Sequence, residues 1–140
     1  MKEKMSFLVE KQQAHTMAAS KYKVLLVEDL RIIRLIHSNF LQTLDCFVDC
    51  AENGQQALEM LSDIYDIVFM DMGLPDIMGT DVVKSYRSHE KGQHLPIVAL
   101  TAHGGKEDRK NFIASGIDEV LIKPVTIQQL SDTLKKHCEK

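Results

Sequence analysis

The stretch Asp66-Ile67-Val68-Phe69-Met70-Asp71-Met72-Gly73-Leu74-Pro75 constrains the fold more than any other part of the chain. Ile67 to Met70 is an unbroken apolar run, short enough for one strand and without the alternation of a half-exposed one. Such a run belongs to a strand buried on both faces, as in a parallel sheet covered by helices. It ends on a carboxylate, Asp71, and turn-forming residues follow at Gly73, Pro75 and Gly79. In open α/β sheets, reacting groups gather just beyond the carboxyl ends of the strands. Taken alone, Asp71 could equally well cap the loop that follows it. Three other strand-like runs that end on polar residues shift that balance.

The first of these is Lys23-Val24-Leu25-Leu26-Val27, which ends on Glu28-Asp29. Ile33, Ile36, Phe40 and Leu44 then recur at spacings of three and four, which predicts one apolar helix face. Cys46 to Ala51, with the β-formers Phe47 and Val48, reads as a second strand. Asn53-Gly54 marks a turn, and Ala57, Leu58 and Leu61 form the face of a second helix. Beyond the central strand, Val82, Val83 and Tyr86 mark a third helix, and Pro96 to Leu100 is a strand ending on Thr101. Asp108 to Ser115 predicts a fourth helix, stopped by Gly116 at its C′ position. Val120 to Ile122 is a short strand that ends on Lys123-Pro124, and the proline restricts the backbone there and admits a cis bond. A capping box, Thr126-x-x-Gln129, opens the last helix, which is expected to bury Ile127, Leu130 and Leu134.

Five short strands alternating with five helices predict an α/β fold: a single doubly wound, five-stranded parallel sheet with helices on both faces. Residues 1–22 are polar and rich in Lys and Gln, and read as a linker or helical extension; residues 23–140 form the folded domain. No GxGxxG follows the first strand and no GxxxxGK[ST] occurs anywhere, which argues against dinucleotide and phosphate-loop folds. The loop after the first strand also lacks the Ser/Thr/Gly cluster with which a flavodoxin would cradle a flavin phosphate.

At 140 residues the chain can bury a real core, and a net charge of -3 gives no reason to expect nucleic acid or an anionic membrane as partner. No apolar run approaches the about 20 residues of a membrane span, and the patch Phe7-Leu8-Val9 is too brief for a secretory segment. These features predict a cytoplasmic domain. The three cysteines include no CxxC pair: Cys46 and Cys50 fall in a strand and Cys138 in a charged tail, so they read as reduced thiols. The six histidines show no ligand spacing.

In a parallel sheet the strand ends lie on one edge, so Glu28, Asp29, Asp71, Thr101 and Lys123 can converge there. Two carboxylates near 4 Å repel by about 4 kcal/mol at an effective dielectric of about 20. A hard divalent cation relieves that repulsion, and one that keeps several waters while bridging to a phosphoryl group fits Mg²⁺ best. Asp71 is then a nucleophile toward phosphorus, Lys123 a point charge on a phosphoryl oxygen, and the Thr101 hydroxyl a hydrogen-bond donor. Each residue has a plainer role when taken alone: Glu28-Asp29 as a helix cap, Thr101 as a strand-end hydroxyl, Lys123 as a solvated loop lysine. The joint pattern, with phosphoryl-transfer residue types at successive strand ends, favours the chemical role.

From about Lys23 to His137 the chain resembles the receiver domains of two-component signalling. The motifs that carry the resemblance are Val27-Glu28-Asp29, Met70-Asp71-Met72-x-Leu74-Pro75-x-x-x-Gly79, Ala99-Leu100-Thr101-Ala102 and Gly116-x-Asp118-Glu119-x-Leu121-x-Lys123-Pro124. The resemblance implies a flavodoxin-like strand order 2-1-3-4-5. It implies that Asp71 accepts a phosphoryl group from a phosphohistidine on a histidine kinase or histidine phosphotransfer domain. Mg²⁺ would be held by Glu28, Asp29, Asp71 and the backbone carbonyl of Gly73. The wording around Leu74-Pro75-Asp76 and Ala99 to His103 is similar to receivers of hybrid sensor histidine kinases, which would make the amino-terminal extension an interdomain linker and attach the domain to a membrane-anchored sensor. A free-standing response regulator and a phosphorylation-dependent homodimer are compatible with the same motifs.

Two positions depart from the family pattern. Val120 stands where receivers usually carry the aromatic residue that turns inward with the threonine, so that half of the switch is absent or altered. Leu30-Arg31 follows the acidic pair where many relatives carry a polar side chain. Gly73 and His103 flank the site and bear on water access, with His103 otherwise a solvated loop residue. A non-phosphorylated interaction module would be expected to lack some of the site residues. A dehalogenase-type aspartyl phosphatase needs a second Asp two positions after the nucleophile, where this chain has Gly73.

Overall fold

Residues 19–89 and 92–139 are described in a computed structural model of the chain. Most of the expected linker, residues 1–18, lies outside the described residues. The elements alternate strictly: β1 (Tyr22–Val27), α1 (Arg31–Thr43), β2 (Cys46–Ala51), α2 (Gly54–Met60), β3 (Ile67–Asp71), α3 (Gly79–Arg87), β4 (Ile97–Thr101), α4 (Lys106–Ser115), β5 (Glu119–Ile122) and α5 (Ile127–Cys138). All pairings are parallel, as the sequence pattern predicts, and the sheet order is β2-β1-β3-β4-β5, as the resemblance implies.

The strands are buried on both faces, and their side chains divide by parity between two cores. Leu25, Val27, Val68, Met70, Ile97 and Ala99 pack with Ala57, Val82, Val83 and Tyr86 from α2 and α3. Val24, Leu26, Ile67, Phe69, Val98 and Leu100 pack with Leu41 from α1 and with Leu130 and Leu134 from α5. A two-residue period with both faces covered is what turns the strands into continuous apolar runs. Each fully buried Leu, Ile, Val, Phe or Met contributes about 1.5–3 kcal/mol relative to exposure, so the two cores hold β1, β3 and β4 as a rigid platform.

The helix ends follow from local chemistry. Asn53 caps α2 by accepting from the Gln56 amide, and Thr126 and Gln129 form the expected capping box at α5. Gly116 ends α4 at φ 112°, and Asp45 takes the same left-handed role after α1 at φ 65°. The Lys123–Pro124 bond is cis.

Three expectations are corrected in detail. The buried residues of α1 are His37 and Leu41, whereas Ile36 is exposed, so the buried stripe is rotated from the Ile33-Ile36-Phe40-Leu44 reading. Phe40 and Leu44 do pack against the core as expected, and Ile36 alone of the four is exposed, because apolar residues occupy both sides of α1 and periodicity does not separate them. Ile127, expected to be buried, is only half-buried in the first turn of α5. Cys138, expected in a charged tail, is the last residue of α5 and packs against the core that contains Phe69. All three cysteines are unpaired, and burial pushes the Cys46 thiol up to about 12 and Cys138 up to about 11, so neither is a thiolate at neutral pH.

Candidate functional site

The carboxyl edge of the sheet gathers side chains from four loops. Glu28 ends β1 with no exposed surface, its amide donating to the Ala51 carbonyl at 3.0 Å. Asp71 ends β3 and is 6% exposed, and its register neighbour on β4 is Leu100. Thr101 ends β4, and its carbonyl accepts from the Lys123 amide at 2.8 Å, which places the lysine beside it. One ligand oxygen each from Glu28, Asp29 and Asp71 lie within 4.8 Å of one another, a set that can hold a metal ion.

Lys123 closes this acidic group. Its Nζ donates to Glu28 Oε1 at 2.8 Å and pairs with Asp71 Oδ1 at 3.2 Å. Asp71 Oδ1 also accepts from the Gly73 amide at 3.1 Å, and Glu28 Oε2 from the Leu30 amide at 3.3 Å. The electrostatics are those of a crowded anionic site. Burial, then the nearby Asp71, pushes the Glu28 carboxyl up to about 7 against the pull of Lys123. Burial also works to raise Asp71, but the hydrogen bond from Glu28, the Gly73 amide and the Lys123 ammonium outweigh it and hold Asp71 below the usual carboxylate range. Lys123 loses solvation, yet Glu28 and Asp71 keep its pKa above the ordinary lysine value. The crowding therefore drives the two carboxyls in opposite directions, Glu28 upward and Asp71 downward.

The oxygen-only, predominantly carboxylate donor set fits a hard cation such as Mg²⁺. Thr101 is buried, and its hydroxyl is held in its own loop, donating to the His103 carbonyl and accepting from the His103 amide, both at 3.1 Å. The His103 side chain itself is exposed. Val120 is half-buried and packs against the core of α2 and α3. Cavities of about 320 and 290 Å³ lie elsewhere, lined by residues such as Leu58, Leu61 and Tyr86, and Tyr65, Leu95 and His137.

A model of the response regulator receiver domain matches residues 24–135. The chain belongs to the receiver domain family. Its relatives include the transcription factor SKN7 of Chaetomium thermophilum, 37% identical over 84% of this chain and 15% of the relative. They also include the aerobic respiration control sensor protein ArcB of Escherichia coli, 37% identical over 81% of this chain and 15% of the relative. Among solved structures, the receiver domain of the sensor histidine kinase PA1611 from Pseudomonas aeruginosa superimposes with a TM-score of 0.77 at 30% identity, over 85% of this chain and 98% of that one. That receiver has a magnesium ion coordinated in its active-site cleft. The chain spans about 15% of the length of the two curated relatives. No helix among the described residues is long and apolar enough to cross a membrane.

Glu28, Asp29, Asp71 and Lys123, all singled out in the sequence, are brought into one group, with Gly73 joined to Asp71 through its amide and Thr101 on the adjoining strand end. Two neighbours escaped sequence reasoning. Arg34 donates from Nη1 to the Glu28 and Asp29 carbonyls at 2.9 and 3.3 Å. The signal for it was a helix that starts after Leu30, a residue unable to cap, with an arginine one turn in. His37 is buried, and its pKa is lowered by burial and then by Lys123. A lone histidine on a helix carries no sequence signal for such a position.

Proposed function

We propose that this receiver domain is a phosphoacceptor switch in which Asp71 takes a phosphoryl group from a phosphohistidine of a histidine kinase or histidine phosphotransfer domain. The observation that carries this reading is the single cluster in which Asp71 meets Lys123 at 3.2 Å and shares a set of closely spaced oxygens with Glu28 and Asp29. Glu28, Asp29, Asp71 and the Gly73 carbonyl would hold Mg²⁺, a role supported by the magnesium in the cleft of the PA1611 receiver. When bound, the ion neutralises the oxygens of the transferring group.

The chain's own residues supply the remainder. In the transfer the donor's P–N bond breaks as a P–O bond to the Asp71 carboxylate forms. The departing imidazole nitrogen keeps the electron pair and takes up a proton. Asp71 is the ionised member of its pair and so is poised as the nucleophile. Lys123 sets its charge beside the oxygens that the phosphoryl group brings. The Thr101 hydroxyl, now donating to the His103 carbonyl, turns to donate to a phosphoryl oxygen and carries the β4–α4 loop with it. With Val120 in place of an aromatic side chain, that loop movement is the principal output of the switch.

The domain is on this reading a phosphoacceptor that assists its own modification rather than an enzyme with a separate substrate. On this reading residues 23–140 are the receiver of a cytoplasmic hybrid sensor kinase and residues 1–22 a linker or helical extension, a context supported by the likeness to ArcB. The likeness to SKN7 supports a regulator context instead. The donor must reach a recessed carboxylate, so its surface covers the site's rim, where Leu30, Ile32, Leu35 and Ile36 expose an apolar stripe suited to a helical donor.

Intact-mass measurement after incubation with Mg²⁺ and acetyl phosphate tests the acceptor reading. One added phosphoryl group is expected, absent from Asp71→Asn and after chelation. No addition to the unaltered chain would favour a non-phosphorylated interaction module.

A further inference from the structure

Both loops that carry the acidic group are tied to one turn that contains none of it. On one side, Arg34 donates from Nη1 to the carbonyls of Glu28 and Asp29, while its Nη2 pairs with Glu52 Oε1 at 3.2 Å. On the other, Asp76 in the β3–α3 loop accepts from the Gly54 amide at 2.8 Å through Oδ1 and from the Gln55 amide at 3.0 Å through Oδ2. Glu52 and Asn53 form the β2–α2 turn, and Gly54 and Gln55 continue it as the first two residues of α2. The turn is stiff in its own right: Asn53 Oδ1 accepts from the Gln56 amide and Gln56 Oε1 from the Glu52 amide, both at 2.8 Å. Contact with the β3–α3 loop is close enough that a Cβ at Gly54 would lie 2.9 Å from Ile77 Cβ.

The need for such ties is visible on both loops. Leu30, at the start of α1, offers no side-chain cap, and the first turn of α1 holds no acidic residue. Arg34 holds the Glu28-Asp29 loop from its carbonyl side instead, through charge-assisted bonds that leave the helix amides uncapped. In the β3–α3 loop Gly73, Pro75 and Asp76 are exposed while Leu74 packs against the core, and Asp76 is the loop's polar anchor.

We propose that the β2–α2 turn, residues 52–55, is a brace that sets the spacing of the two acidic loops, with Arg34 and Asp76 as positioning residues for divalent-ion binding. This rests on the reading of Glu28, Asp29 and Asp71 as the ion site. Groups that orient metal ligands without touching the metal typically cost about 10–100-fold in affinity when removed.

Isothermal titration of Mg²⁺ into the metal-free chain gives the test without any phosphodonor. Arg34→Met and Asp76→Asn are each expected to weaken Mg²⁺ binding roughly tenfold, and Arg34→Lys, which keeps one donor, to recover part of that loss. Because both act through one turn, the double variant should lose less than the product of the single losses. Glu52→Gln, at an exposed residue whose loss leaves the fold intact, should weaken binding about twofold, since an exposed ion pair contributes little. Variants that bind as the unaltered chain does, or a double variant whose loss equals the product, would overturn the brace and leave the ion site standing. An unaltered chain that takes up no Mg²⁺ would overturn both.

Discussion

Lys123 Nζ lies 2.8 Å from Glu28 Oε1, across 95 positions of sequence, and the same nitrogen is 3.2 Å from Asp71 Oδ1. One ammonium thus faces two buried carboxylates, which cannot both ionise freely without a further cation. That imbalance, rather than any single residue, governs how the site responds to protons and to metal.

The first consequence concerns the proton on Glu28. Burial and Asp71 together push its carboxyl to about 7. Asp71→Asn removes the neighbouring charge, so the midpoint of Glu28, followed by carboxyl carbon NMR in the metal-free chain, should fall clearly below its unaltered value. A midpoint that stays put would assign the whole effect to burial.

A second consequence is linkage between pH and Mg²⁺. In the metal-free chain Glu28 titrates about 7 when folded and at 4.5 as an ordinary glutamate, so the folded state binds the extra proton between these values. The stability Glu28 confers is full below 4.5 and is lost as pH rises through about 7. Mg²⁺ needs the ionised carboxylate, so its apparent affinity should drop about tenfold per pH unit well below the Glu28 midpoint. Differential scanning calorimetry at pH 6 and pH 8 checks this through a larger Mg²⁺-induced rise in Tm at pH 8. Equal responses would show that Glu28 is already ionised without the metal.

The platform beneath the site yields a stability prediction. Phe69 sits on the central strand with no exposed surface, among Leu26, Val98 and Leu100. Phe69→Ala should cost about 3–5 kcal/mol by urea denaturation, from reduced burial and the cavity left behind. A cost under about 1 kcal/mol would mean that the core around β3 collapses readily to fill the space.

Much of this architecture was legible in the sequence because its signals are redundant. β3 announces itself by an apolar run that only a doubly covered strand tolerates, and Gly116 and Thr126-Gln129 mark helix ends by chemistry that few other positions use. The convergence of Glu28, Asp71 and Lys123 follows once the strands are parallel. The buried side of α1 was legible only in part: Phe40 and Leu44 pack inward, but Ile32, Leu35 and the misplaced Ile36 are as apolar as the residues that do. Nor were the ties made by Arg34 and Asp76, which join carbonyls and amides of distant loops and leave no periodic trace.

That exposed apolar stripe separates two kinds of donor. Ile32→Asp combined with Leu35→Asp should leave modification by acetyl phosphate within about twofold, since neither residue touches the carboxylates. Removing an apolar anchor from the centre of an interface costs on the order of 1–2 kcal/mol or more, so transfer from a phosphorylated histidine phosphotransfer protein should slow at least about tenfold. Equal slowing with both donors would place the effect in the site itself.

Chemical trapping of the modified residue tests the central claim most directly. Borohydride reduces an aspartyl phosphate to homoserine, which tandem mass spectrometry locates in the chain. After Mg²⁺ and acetyl phosphate, homoserine is expected at position 71 and nowhere else, and its appearance at another carboxylate with Asp71 intact would contradict the account.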